Sequence, residues 1–473
     1  MKGKVLEVAK KAKKIGQDDP RRISHSLKVG LALTLVSSFY YLRPLYDGFG
    51  QSGMWAVLTV VVIFEFTVGA TLSKGMNRGF ATLLAGALGV GAQQMACLLG
   101  HKGHPIVLGL FVFLLAAAST FTRFFPNIKA RYDYGVLIFI LTFSLVAISG
   151  YRADEILVLS HQRLSTILIG GAICLVISIF LVPVWAGEEL HNLVAANLEK
   201  LGSFLEGFGK ECFKDSRDTG DSSIVAAREE KSFLQVYKGV LNTKATEDSL
   251  ANFAWWEPGH GRFKFRHPWK QYLKIAALSR KCACHFEALC AYINSDIQEP
   301  TSFQRKIQQP CVKMSLESSK ALKELATSIK TMTHPSAADV HMENSKTAAA
   351  KLKAAIEAAS RETETSNLLD IIPAVAAASV LADIIKCIDK IGESVHELSH
   401  QAHFKKLEDQ STVSPEKPQL LHRGTVKPVS DVDGDGDSDR DHVIITVHET
   451  SLESPENIGN PQAPKSTVPR AEQ

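Results

Sequence analysis

The chain has 473 residues, of which 45% are hydrophobic and 22% charged, with a formal net charge of +4 and a mean hydropathy of +0.03. These averages hide two solvents: the 164 residues from Ile23 to Ala186 hold 15 charged residues, whereas the rest of the chain holds 87. Such a split argues against a wholly water-soluble enzyme, a disulfide-stapled secreted module and a wholly disordered chain.

Residues 1–22 form a basic N-terminal segment carrying Lys2, Lys4, Lys10, Lys11, Lys13, Lys14, Arg21 and Arg22. It leads into a full-length apolar run with more runs behind it, so it does not read as a signal peptide. Six apolar runs follow: Ser26 to Leu42, Met54 to Leu72, Gly79 to Gly100, His104 to Phe121, Tyr134 to Gly150 and Ser165 to Trp185. A run of about 20 residues crosses a hydrocarbon core of about 30 Å as a helix, because each residue rises about 1.5 Å. None of the runs alternates with the period of a barrel strand, so each must satisfy its backbone internally.

The fold class expected is all-α: a polytopic membrane protein with six transmembrane helices in 23–186, a cytosolic helical bundle domain in 187–407 and a disordered tail in 408–473. The N-terminal segment and the second and fourth connections carry 13 Lys and Arg, the alternate connections only Arg43, Lys102, Arg152 and Arg163. By the positive-inside rule both termini are cytosolic. Small residues in the third run (Ala81, Ala85, Gly86, Gly89, Gly91) and the sixth (Gly170, Gly171, Ala172) read as packing faces.

Glu65 falls near the middle of the second run, where a carboxylate costs about 2.5–3.5 kcal/mol and so faces water or a partner. It reads equally as a pore-side or proton-coupling acid and as half of a pair with Lys28, Arg131 or another basic group. Lys28 lies close enough to the end of its helix to snorkel as an anchor, and with Glu65 it is also a candidate residue of the anion pathway. Between Ile23 and Ala186, ten Lys and Arg stand against five Asp and Glu, and five of the ten lie on the two cytosolic connections. Fixed cations at a narrow mouth replace the hydration of an entering anion, so small anions are the expected cargo; the positive-inside bias explains the same charges without any cargo. On the far side Asp47, Asp154 and Glu155 are the acids of the outward connections, and could hold a hard cation or merely be solvated.

From Gly187 onward, amphipathic stretches are expected near Glu189 to Phe213, Ser223 to Leu241, Trp269 to Ile293, Thr301 to Met332, Ala337 to Ser360 and Leu368 to Leu407. The tail has 7 of the 18 prolines and 13 acidic residues against 6 basic ones, the composition of disorder. Ser414 and Ser454 each precede proline and are candidate phosphorylation sites, which makes protein kinases candidate partners.

Three motifs read as decoys. His396-Glu397-Leu398-Ser399-His400 matches H-E-x-x-H but lacks the further glycine and histidine of its best-known zinc class. The acidic run from Asp431 to Asp439 starts like a calcium loop, yet its twelfth position is His442. Cys282, Cys284, His285 and Cys290 have no standard zinc spacing. No Walker loop, dinucleotide fingerprint or nucleophile elbow occurs, so neither an enzyme nor ATP-driven transport is expected, and no cofactor. The basic and aromatic residues of WEPGHGRFKFRHPWKQY, from Trp256, suit lipid headgroups or helix docking better than nucleic acid.

Long blocks in order then carry a resemblance: PRRISHSLKVGLAL from Pro20, MWAVLTVVVIFEFTVGATL from Met54, ARYDYGVLIFILTFSLVAISGYR from Ala130, RLSTILIGG from Arg163, PVWAGEEL from Pro183, WEPGHGRFKFRHPWKQY from Trp256 and SVHEL from Ser394. Over about Asp18 to Leu407 the chain resembles the plant aluminium-activated malate transporter family of anion channels. The resemblance implies a homodimer in membrane lipid that passes malate and other small anions passively. It implies anion-pathway roles for Lys74, Arg78, Arg123 and Arg131, and puts Phe180 and Trp185 in a segment that looks like a GABA-sensitive motif. Asp47, Asp154 and Glu155 become candidates for an extracellular aluminium site, although LSHQ before Arg163 lacks a further acid seen in some relatives. The plasma membrane is expected rather than the vacuolar membrane. The alternative is a proton-coupled or exchange organic-anion transporter using Glu65.

Overall fold

The structure, a computed structural model, describes residues 2–41, 53–98, 100–150, 156–211, 233–294, 302–362 and 368–406. Asp47, Asp154 and Glu155, Ser414 and Ser454, and the tail expected from residue 408 lie outside the described residues. Among the described residues the regular secondary structure is entirely helical, with two isolated bridges. The protein is an all-α membrane protein.

The apolar helices are α2 (Pro20–Tyr41), α3 (Gly53–Ile63), α4 (Val68–Cys97), α5 (Gly100–Thr122), a short α6 (Pro126–Arg131), α7 (Asp133–Gly150) and α8 (Ile156–Phe180), preceded by α1 (Lys2–Asp18). By length and composition Val68–Cys97, Gly103–Thr122 and His161–Phe180 can cross a membrane, and Gly53–Ile63 and Asp133–Ser149 are shorter apolar helices. The basic N-terminal segment is itself helical. It stops at Asp18 because a residue before proline disfavours the α conformation. Asp19 Oδ1 then accepts from the Arg21 N–H at 3.2 Å, capping α2 behind Pro20.

The second apolar run is not one helix. It breaks at Phe64–Thr67, and Glu65 sits in that break rather than mid-helix. Thr67, extended at φ −101° and ψ 151°, caps α4 by accepting from the Ala70 N–H. Thr71 Oγ1 accepts from the Glu65 N–H at 3.0 Å, and the Val68 N–H reaches the Val184 carbonyl at 2.9 Å. These bonds satisfy an irregular backbone beside apolar helices, which is tolerated only where it is buried in protein or lines a water-filled cavity.

Helix α4 is the centre of the apolar group and packs on α5, α7 and α8. Ala81, Ala85, Gly89, Ala92 and Ala96 form its buried small-residue stripe. A Cβ on Gly89 would lie 2.6 Å from Val146, whereas Gly86 and Gly91 face open space and take no part in that packing. Helix α5 leaves Ile106, Leu110, Phe113 and Leu114 exposed, a face suited to lipid.

The charged helices are α9 (Ala186–Glu211), two single turns α10 (Phe233–Val236) and α11 (Lys238–Leu241), α12 (Lys244–Ala254), α13 (Trp269–Asn294), α14 (Ser302–Thr331), α15 (Ser336–Glu362) and α16 (Leu368–Gln401). The long helices match the amphipathic stretches within a few residues. The stretch expected from Ser223 is described only as the two single turns from Phe233, and α12 was not anticipated. Leu198, Phe204, Phe208, Tyr272, Phe286, Leu322, Ile391 and Leu398 share one core. Wholly buried Glu247 on α12 pairs with Arg280 of α13 and accepts from Asn197 of α9 at 3.1 Å.

The two groups of helices meet at Glu257. Its buried carboxyl accepts the Gly69 N–H at 3.1 Å from the first turn of α4, and the Ala186 and Gly187 N–H groups at 2.7 and 3.0 Å from the first turn of α9. Both helix starts have unfilled donors and a positive dipole end, which one carboxyl serves together. Glycine is needed twice here. A Cβ on Gly69 would lie 2.5 Å from the Phe253 carbonyl oxygen, and one on Gly187 would lie 2.4 Å from the Trp269 ring.

Burial pushes the Glu257 carboxyl up to about 7, against the pull of its three amide donors. Its folded pKa thus exceeds that of an unfolded glutamate, about 4.3, so its stabilising contribution is full below that value and is lost as pH rises through about 7. In thermal unfolding of the detergent-solubilised protein, the stability advantage of wild type over Glu257→Gln should therefore shrink between about pH 5 and about pH 8; an advantage that grows over that range would contradict the assignment.

Candidate functional site

Lys74 and Arg78 are one helical turn apart and so share a face of α4, about two and three turns inside its N-terminus. Both meet Tyr134 at the start of α7: the Lys74 ammonium lies 5.8 Å from the ring centroid, and Arg78 Nη1 donates to the hydroxyl at 3.2 Å. Lys74 also pairs with Glu65 in the break. Between them on α4, Asn77 donates to the Arg131 carbonyl at 2.9 Å. The Arg131 guanidinium stacks on Trp255, 4.8 Å from its centroid. Arg123 makes a two-pronged pair with Asp133 at 2.7 and 3.2 Å. The structure thus gathers Lys74, Arg78, Arg131 and Glu65 about the α4–α7 contact, with Arg123 on the adjoining corner.

Lys28 and Phe180 stand apart from that group. Lys28 is buried and donates to the Val182 carbonyl at 2.8 Å, so its charge meets the C-terminal, negative end of α8. Phe180 ends α8 and is exposed. Trp185 lies in the α8–α9 linker, stacked on His260 at 3.9 Å between centroids with planes 10° apart. The partner of Glu65 is Lys74, a residue of the next helix, in place of Lys28 or Arg131.

Two arginines are buried with no carboxylate partner among the described residues. Arg78 is 4% exposed and Arg163, two turns into α8, is 9% exposed. Each keeps a buried Nε with no acceptor. Arg163 has only the face of Trp55, 4.5 Å from its centroid. Gly79 of α4 faces Leu168 of α8, and Arg163 lies five residues before Leu168, about 7.5 Å by helical rise towards the start of α8. Sequence reasoning counted Arg163 as a loop charge; its position at the head of the apolar run RLSTILIGG was the available signal.

The segment after α12 docks helices. Trp256 meets Tyr132 edge-on at 5.9 Å, and His260 and Phe263 close a tight turn through Gly261 at φ +52°. The Tyr272 hydroxyl lies 2.9 Å from His191 Nδ1 and 3.3 Å from His267 Nε2. Burial pushes both imidazoles down to about 4, so both are neutral near pH 7. Arg262, Lys264, Phe265 and Arg266 stay exposed at the tip.

The zinc-like motif is spent on other bonds: His396 meets Asp339 at 2.7 Å and Glu397 accepts from Lys274 and Gln271, each at 2.8 Å. Among the described residues no cluster of three His, Cys, Asp or Glu side chains is arranged to hold a metal. Cys282, Cys284 and Cys290 are free thiols.

A family model described as aluminium activated malate transporter matches residues 13–367. The chain is 49% identical over 442 residues to Aluminum-activated malate transporter 2 of Arabidopsis thaliana, covering 93% of this chain and 85% of that relative. It is 47% identical over 460 residues to Aluminum-activated malate transporter 1 of the same plant, covering 96% and 90%. With Aluminum-activated malate transporter 1 of Triticum aestivum the identity is 48% over 433 residues, covering 89% and 91%.

The Arg131–Trp255 stack joins the apolar group to the segment that carries Glu257. A double-mutant cycle with Arg131→Ala and Trp255→Ala, read by thermal unfolding in detergent, should give a coupling of about 0.5–2 kcal/mol; additive effects would mean that the stack contributes nothing.

Proposed function

Because the chain belongs to the aluminium-activated malate transporter family, we propose that it is a gated channel that lets malate and inorganic anions run passively down their gradients across a plant membrane. The observation that carries this reading is a pair of buried guanidiniums, Arg78 and Arg163, that have no carboxylate partner among the described residues. A cation buried without a partner is costly, and an anion beside it relieves that cost. Malate offers two carboxylates, each able to take a two-pronged hydrogen bond from a guanidinium.

In this reading α2, α3 with the break, α4, α5, α7 and α8 are the six membrane crossings, and the charged helices lie in the cytosol, as the Lys and Arg distribution indicates. Arg123 and Arg131 raise the anion concentration at the cytosolic mouth, and Lys74 passes the anion to Arg78 and on to Arg163. Asp133 and Glu65 temper this attraction. Conduction requires sites that draw an ion in and still release it, and partly neutralised cations in sequence meet that need. Two copies of the chain assemble as a homodimer, with Asp47, Asp154 and Glu155 as the outer cation site and Phe180 and Trp185 as the site of GABA sensitivity.

The exchange alternative needs Glu65 free to load and release a proton. Its pairing with Lys74 favours a structural carboxylate instead.

Voltage-clamp recordings with malate on both sides test the assignment. Arg78→Ala and Arg163→Ala should each lower malate current by about tenfold or more at unchanged surface protein, the scale of a lost hydrogen bond to a charged group. Unchanged currents in both variants would remove the two arginines from the pathway.

In the same recordings, Glu65→Gln should leave the reversal potential following the malate gradient at each pH tested. A reversal potential that follows the proton gradient in wild type, and ceases to in Glu65→Gln, would establish the exchange mechanism instead.

A further inference from the structure

Helix α1 has a chemistry that the channel reading does not use. Helical spacing puts Val5, Val8, Ala9, Ala12 and Ile15 on one face, and Lys4, Glu7, Lys10, Lys11 and Lys14 on the other, with Lys13 on the flank. Lys4, Lys10, Lys11, Lys13 and Lys14 are all exposed, and none has a carboxylate partner among the described residues. The principal contact of α1 is α2. An isolated helix of this length is marginal in water, so α1 calls for a surface to lie on.

Its location says which surface. A Cβ on Gly16 would lie 2.8 Å from Ile23, so the end of α1 is folded against the first turn of α2. Ile23 begins a stripe of exposed apolar residues on α2 that continues through Leu27, Leu31 and Leu35, the face turned to lipid. Exposed Ile15 extends this apolar surface onto α1. The elbow is held at the boundary between the apolar and charged helices, because Arg21 pairs with Glu189 in the first turn of α9 and lies 6.0 Å from the Phe66 ring in the α3–α4 break. That boundary is the level of the lipid headgroups.

We propose that α1 is an interfacial helix that binds the anionic cytosolic leaflet, its Val and Ala face in the acyl boundary and its lysines on acidic headgroups. Lipid is favoured over a protein partner because exposed Ile15 continues the exposed apolar stripe of α2, and because the five lysines, without carboxylate partners among the described residues, complement a leaflet rich in negative headgroups. The proposal rests on the cytosolic placement of the N-terminus given above. Such a contact would make the entry angle of α2 depend on lipid composition.

Hydrogen–deuterium exchange on the full chain in nanodiscs tests this. Residues 2–18 should exchange about tenfold or more slowly in phosphatidylcholine containing phosphatidylserine than in phosphatidylcholine alone, with protection weakened by high salt. Replacing the five lysines by glutamine should abolish the difference, at about fivefold in binding per lysine, and replacing them by arginine should keep it. Equal protection in both lipids, or protection that survives the glutamine changes, would overturn the proposal and point to docking on protein. Malate flux through the same proteins in liposomes separates the two readings: lipid-dependent protection without flux leaves the anchor standing and sinks the channel, and flux with equal protection does the reverse.

Discussion

One carboxyl group ties the apolar helices to the charged ones. Glu257 accepts amide hydrogens from the first turns of α4 and α9, so the helix that carries Lys74 and Arg78 and the helix that opens the charged half are capped by the same two oxygens. Helix N-termini are ready-made carboxylate sites. Here an internal carboxyl fills them and fixes the start of α4. Gly69 and Gly187 give that group its space, and Trp269 closes over it. Any motion of α9 and α13 therefore reaches α4 directly, through bonds of ordinary hydrogen-bond length and not through a flexible linker.

The charges of the apolar half are far from equivalent, although composition counts them alike. Lys74 is matched by Glu65 and Arg123 by Asp133. Arg131 rests on an indole and Lys28 on the carbonyl end of α8. What remains is Arg78 and Arg163, each supported by an aromatic residue, Tyr134 or Trp55, and by no acid among the described residues. A phenol or an indole face can hold a guanidinium in place while leaving its charge available, which an aspartate would not do. Arg131 shares that aromatic support, so what sets Arg78 and Arg163 apart is their burial.

The apolar runs were legible because twenty residues without charge can satisfy their backbone in lipid only as helix. The break at Phe64–Thr67 was not, since Phe, Val and Thr score as apolar whether or not they are helical, and what ends α3 is a pair of hydrogen bonds from Thr67 and Thr71 together with contacts about 115 and 190 residues away. Glu65 was read as mid-run for the same reason. Gly86 and Gly91 could not be told from Gly89 by composition, because which side of α4 meets α7 is a tertiary fact. Glu257 was hidden differently: in WEPGHGRFKFRHPWKQY the basic and aromatic residues draw attention to surface chemistry, while the residue with most consequence is the lone acid. The family resemblance, by contrast, was fully visible in the ordered blocks, and the comparisons bear it out.

Two buried arginines with no carboxylate partner among the described residues set an energetic condition on the apolar group of helices. On insertion scales each costs about 2.5–3.5 kcal/mol at mid-membrane, and a cation–π contact returns about 0.5–2 of that. The remainder is a standing cost that hydration or an anion must offset. A carboxylate meets that need well, because it takes a two-pronged hydrogen bond from a guanidinium. In the proposed channel, sites satisfied only in part would each bind an anion weakly. What α4 and α8 contribute to that proposal is one buried guanidinium each, held by an aromatic residue and matched by no carboxylate among the described residues.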